Sequence, residues 1–142
     1  MITLALFEKM AEDNVANLIK NKNFYWEEIP LQSDGSPAEG VWLVTRQGDL
    51  SMSHKGLNLR STVDFYVAFS NKVKTEQTHL AILEWLLHNK CICKLSGSVG
   101  GTTYNYSNVR IRPTASPENG GATGNGTIVK IASAQLVYDI NN

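Results

Sequence analysis

The sequence has little cysteine, little charge and no long apolar run, and each shortage removes a class of protein. Its 142 residues include two cysteines, Cys91 and Cys93. They are assigned to opposite faces of one strand, at least one of them packed as a small hydrophobe, which makes them poor disulfide partners. A disulfide-built secreted scaffold is thereby excluded. Thirteen basic residues balance thirteen acidic ones, for a net charge of zero. Proteins that hold nucleic acid through its phosphates normally carry a basic excess, so the balance argues against that class while leaving room for a local basic patch. Low self-repulsion also favours association. No window approaches the roughly 18 apolar residues of a membrane span. Met1 to Asp13 has no basic lead and is broken by Glu8, so no signal peptide is expected, and folding in a cytoplasm is.

Motifs of known chemistries are missing too. Gly121, Gly124 and Gly126 resemble a nucleotide loop in spacing, but they precede a strand rather than open a helix, and no Gly-Lys-Ser/Thr follows. No nucleophile elbow is present. Cys91, Cys93 and His88 lack a fourth nearby donor for zinc. Glu27 and Glu28 are adjacent, so on a strand they diverge and form no carboxylate pair. The expectation is no enzyme, no cofactor and no metal.

What is present suffices for one packed domain, residues 1–142. Hydrophobic residues make up 42% of the chain, with three Trp, five Tyr and four Phe. Leu4, Phe7, Ala11, Val15, Leu18 and Ile19 recur at helical steps and predict a helix over Thr3–Lys22. Strands are predicted at Phe24–Pro30 and Val41–Gln47, then a loop over Gly48–Gly56. Ser61–Ser70 is the clearest strand, because Val63, Phe65, Val67 and Phe69 alternate with the residues between them. A second helix is predicted over Glu76–Asn89, with Thr75 as N-cap. It is apolar over more than half its girth and so needs two covers, the sheet and the first helix. Cys91–Ser96, Thr103–Arg112 and Thr127–Ile140 complete the strands. A turn over Gly97–Thr102 and a loop over Pro113–Gly126 separate them. The last strand has apolar residues in both phases, which predicts partial cover on both faces or a bulge that switches them. Strands grouped as hairpins with helices to one side predict an α+β fold, a mostly antiparallel sheet with two helices packed on one face.

Charge is segregated along the chain. Residues 24–40 hold Glu27, Glu28, Asp34 and Glu39 and no base. Residues 41–74 hold Arg46, Lys55, Arg60, Lys72 and Lys74 against Asp49 and Asp64. This predicts a head-to-tail contact between copies, acidic surface to basic surface, of the kind that closes into rings. Trp42 and Arg46 are residue types that dominate interfaces. The predicted interface set is Glu27, Glu28, Trp42, Arg46, Lys55, Arg60, Arg110 and Arg112. Tyr104 and Tyr106 with Arg110 and Arg112 on one strand also offer an alternative, base stacking by a small nucleic-acid-binding domain.

Several phrases carry a family resemblance. They are STVDFYVAFS, the helix after it, and the run from Arg112-Pro113 through Pro117, Gly120-Gly121 and Asn125-Gly126 to Leu136-Val137-Tyr138. In order of elements, from about Leu4 to Ile140, the chain resembles the small tail-terminator and minor tail or head–tail completion proteins of long-tailed bacteriophages. Ala68 stands where that strand phrase often has a basic residue, and no role is carried to it. The resemblance implies a virion structural protein at the head–tail junction, a homo-oligomeric ring of about six copies. Such a ring caps the tail tube, meets tail-tube protein and the head or neck connector, and touches DNA only as cargo passing through. Another ring protein of the phage neck or tail tube is the neighbouring alternative. The segments Arg46–Arg60 and Pro113–Gly126 are expected to face partners.

Overall fold

The computed structural model of the chain describes residues 2–53, 56–114, 119–122 and 127–140, with the backbone alone for 47–53, 56–58 and 119–122. Helix α1 spans Ile2–Glu12, and a short 3-10 turn follows at Val15–Asn17. The strands are β1 (Phe24–Trp26), β2 (Gly40–Ser53) and β3 (Gly56–Ala68). Helix α2 (Lys72–His88) comes next, followed by β4 (Cys91–Val99), β5 (Thr102–Thr114), β6 (Asn119–Ala122) and β7 (Ile128–Ile140). The strands form one sheet in the order β1-β2-β3-β7-β5-β4, with β6 also paired to β7. The fold is α+β. The sheet is mixed rather than purely antiparallel, because β1 pairs with β2 in parallel while the other described strand pairs are antiparallel.

Period two decides which side chains enter the core. Val63, Phe65 and Val67 of β3 stand opposite Ala134, Ala132 and Lys130 of β7. Val41, Leu43, Val63, Phe65, Ala132, Ala134, Leu136, Ile111 and Val109 form one buried cluster with Leu6, Met10, Ile82 and Leu86 of the helices. Each large side chain fully withdrawn from water there contributes roughly 1.5–3 kcal/mol. The other phase of β3 is occupied too. Tyr25, Trp42, Ala68 and Val129 make a smaller cluster with Ala38, Val44 and Tyr66, so the two-phase apolar pattern of the last strand is matched by cover on both faces.

Several expected boundaries move. The first helix stops at Glu12 because Asn14, Ala16 and Asn17 take positive φ of 54°, 51° and 58°. A left-handed residue breaks the hydrogen-bond ladder of a right-handed helix. Val15 and Leu18 are still buried, whereas Ile19, the last residue of the expected apolar series, is exposed. Asn71, not Thr75, caps α2, its Oδ1 accepting from the N–H groups of Val73 and Lys74 at 3.0 and 3.2 Å. Thr75 instead donates to the Phe69 carbonyl at 3.1 Å. Helix α2 is not covered on two sides: Val73, Leu80 and Leu87 are 63%, 55% and 51% exposed. It also packs against the 3-10 turn after α1, and the Trp85 indole N–H donates to Asp13 Oδ2 at 3.0 Å.

The expected loop over Gly48–Gly56 is strand on both sides, paired from Gly40↔Ala68 to Ser53↔Gly56. Strand β4 likewise runs on to Val99, and the turn shrinks to Gly100 and Gly101 with φ of 57° and 79°. Gly97, expected in that turn, lies in β4 beneath α1, where a Cβ would stand 3.0 Å from the Ala5 backbone. Short β6 falls in the expected loop Pro113–Gly126, and residues 115–118 and 123–126 of that loop lie outside the described residues.

Among the described glycines, Gly40 makes the tightest backbone contact. Its φ is +147°, and a Cβ there would fall 2.4 Å from the Asn23 carbonyl oxygen. Gly40→Ala is expected to cost about 3 kcal/mol, read as a lower urea midpoint, because the clash is with backbone that cannot rotate away. Tyr106 gives a pH signature. Burial first, then the neighbouring Tyr138 and Tyr104, push its phenol from 10.0 up to about 12. The fold favours the neutral form, so this contribution is intact below pH 10 and is lost as pH rises through about 12. Tyrosinate absorbance is expected to show one late-titrating phenol, and urea unfolding a stability decline over the same window.

Candidate interaction face

Three cross-strand rows build the sheet face opposite the helices. Arg60 of β3, Val137 of β7 and Arg110 of β5 stand side by side, with Asp49 of β2 and Cys91 of β4 at the two ends. The next row is Gln47, Thr62, Gln135 and Arg112. The third is Val44, Asp64, Ser133 and Thr114. The ladder between β2 and β3 shifts by one residue between Thr45 and Gln47, so Arg46 is the extra residue of a bulge. A bulge re-aims its side chain. Here the Arg46 guanidinium reaches back over the third row, Nη2 3.1 Å from Asp64 Oδ1.

Asp64 is buried, and Ser133 Oγ donates to the same oxygen at 2.5 Å. The pair ties β3 to β7 across 69 residues of sequence. A buried carboxylate without donors is costly, so Arg46 and Ser133 are what allow it to sit there. Beside them is a hollow of about 460 Å³ lined by Arg46, Thr62, Arg112, Pro113, Thr114 and Gln135. Arg60, Arg110 and Arg112 are exposed. Among the described residues, none of these three guanidinium groups forms an ion pair.

The predicted interface residues therefore divide. Arg60, Arg110 and Arg112 share this face, and Arg46 lies on it but is held by Asp64. Trp42 is on the same face yet buried at 4% exposure, its indole N–H without an acceptor among the described residues. Glu27 has φ 64° and folds onto β2, accepting from the Thr45 N–H at 2.9 Å and from the Thr45 hydroxyl. The Thr45 hydroxyl also meets Thr3 Oγ1 at 2.8 Å, which accepts from the Trp26 indole at 3.0 Å. Glu28 is exposed. Lys55 lies outside the described residues.

The stacking arrangement is separated by the sheet. Tyr106 is buried on the helix side, edge-on to Tyr138 at 5.3 Å, and Tyr104 packs against the same core, while Arg110 and Arg112 are exposed. Both cysteines are exposed free thiols lining one hollow with Arg110 and Asp139. Residues two apart on a strand return to the same face, so the assignment to opposite faces, with one thiol packed, is corrected. His88 Nδ1 instead lies 2.7 Å from the Glu84 carbonyl. Among the described residues no group of three His, Cys, Asp or Glu side chains is placed to hold a metal ion. Another hollow, of about 790 Å³ between α1 and β4, mixes Lys9, Lys20 and Lys94 with Glu8 and Glu12. Two of its lysines are already paired, Lys9 with Asp13 and Lys20 with Glu8.

Sequence reasoning did not find the Asp64–Ser133 bond. The one available signal was an acid inside the apolar phrase Val63 to Val67. Arg46→Gln is expected to cost roughly 1–2 kcal/mol in urea unfolding, less than a fully buried pair because the guanidinium is half exposed. No family model matches the chain, and no curated protein matches it.

Proposed function

We propose that the chain is a structural subunit of a homo-oligomeric ring of the phage tail-terminator type, which caps a tail tube and helps join tail to head. The observation that carries this reading is the division of the sheet. One face is consumed by both helices in a single core. The other presents exposed guanidinium groups over a shallow polar hollow. Surfaces built in this way meet other chains rather than enclose a small substrate.

Two further features support it. Val73, Leu80 and Leu87 leave an apolar stripe on α2 at seven-residue steps, a spacing that keeps them on one side of a helix. The β4–β5 hairpin also extends beyond the end of β7, where Tyr106 pairs with Ile140. Thr102–Asn105 alone projects roughly 13 Å at the strand rise. In this reading the subunit has no substrate and no cofactor. It works by shape, ending tube growth and offering a docking surface to tail-tube protein on one side and to a head or neck connector on the other. Its place is the virion, with DNA passing through the ring as cargo.

The mass of the native particle tests this directly. Light scattering is expected to give a ring of about six copies, alone or on mixing with tail-tube protein. A mass equal to the 15.7 kDa chain under both conditions overturns the proposal.

A further inference from the structure

The segment between β1 and β2 is a built tongue. Gln32 N–H donates to the Ser36 carbonyl at 2.8 Å, Gly35 N–H to Gln32 at 2.9 Å and Ala38 N–H to Pro30 at 2.8 Å. Leu31 and Pro37 bridge its two sides. At the tip, Asp34 Oδ1 accepts from the Ser36 hydroxyl at 2.6 Å and from the Ser36 N–H at 2.9 Å. Those bonds hold the Asp34 carboxyl below its usual range, so it stays ionised. Leu31, 69% exposed, and Ile29 stand out beside the exposed Glu28. The tongue is thus an apolar projection carrying two carboxylates, ordered before it meets anything.

The arginine rows are its chemical complement. Half-buried Val137 lies between Arg60 and Arg110, each one strand away, with Arg112 two residues further along β5. Adjacent strands are about 4.8 Å apart, so the two flanking arginines are separated by roughly 10 Å and can close on one carboxylate beside an apolar contact. The tongue does not sit over these rows in its own chain. Its base residue Ala38 packs with Trp42, whereas Arg60 stands opposite Asp49, roughly 23 Å further along β2 at the strand rise.

We infer that the Glu28–Asp34 tongue of one copy docks on the Arg60, Arg110 and Arg112 face of the next copy, Leu31 toward Val137 and the carboxylates toward the guanidinium groups. The occupant is a second copy because the chain itself supplies the complementary charge on a preordered projection. The contact joins two different surfaces, so it repeats head to tail and closes by rotation. It rests on the ring reading above and assigns that ring its contact.

Charge exchange tests it. Two variants are compared with the wild type by sedimentation, Arg110→Glu with Arg112→Glu, and Glu28→Arg with Asp34→Arg. All four positions are exposed, and matching circular dichroism checks the fold. Each variant alone is expected to weaken assembly by roughly 100-fold, since like charges then meet. Mixing the two is expected to restore the wild-type mass, because each reversed surface finds its complement on the other variant. Two monomeric variants that fail to assemble on mixing overturn the docking. So does an arginine variant that assembles as the wild type does. If that variant keeps its mass but loses retention on a single-stranded DNA oligonucleotide, the face is a nucleic-acid surface and the docking is again overturned. A wild type that is itself monomeric, alone and with tail-tube protein, removes the ring reading and the docking together.

Discussion

The antiparallel register between β3 and β7 is the constraint on which the rest of the molecule depends. It pairs Leu59 with Tyr138 and continues without a shift to Val67 and Lys130. In that register Val63 and Phe65 enter the helix-covered core, while Asp64 meets Ser133 on the other side. A slip of one residue would drive the carboxylate into the core and put the phenylalanine in water. The cost at Asp64 therefore fixes the pairing more sharply than apolar burial alone, since Val, Phe and Ala tolerate exchange better than a charge does. Both the core and the arginine rows inherit their order from this ladder.

Parts of this were legible in the sequence because they are local. Val63 to Phe69 alternate strictly, and the structure places a strand there up to Ala68. Leu136 and Tyr138 were read on one face and Val137 on the other, as found. The first helix was overrun because Val15 and Leu18 keep the apolar period past Asn14, where the backbone turns left-handed. Gly48, Ser51, Ser53 and Gly56 look like loop residues, yet all four lie within β2 or β3. Pairing with a partner strand overrides weak intrinsic propensity. The parallel partnership of β1 and β2 depends on how residues 27–39 cross over, and no periodicity records that.

The candidate face was half legible. Arg60, Arg110 and Arg112 were chosen from charge and position, but only register puts Arg60 and Arg110 on either side of Val137. Residue type points to Trp42 and the acidic segment to Glu27, and the fold uses both internally. Trp is favoured at interfaces for the same area that makes it favoured in cores, so type alone does not separate the two uses. Glu27 is captured by Thr45, 18 residues away, through a left-handed backbone turn with no sequence signature. Cys91 and Cys93, two residues apart on β4, are both exposed, as a strand period of two requires of residues on an open face.

The β3–β7 pairing also has a consequence for biosynthesis. Strand β7 leaves the ribosome after every other strand, yet it fills the centre of the sheet, between β3 and β5. Until it arrives, the apolar β3 has β2 on one flank and an open edge on the other, and the β4–β5 hairpin has no lane to join. An unpaired apolar edge is a template for pairing with another chain. The nascent polypeptide thus passes through a stage in which one edge of β3 is displayed, and the arrival of β7 is what closes it.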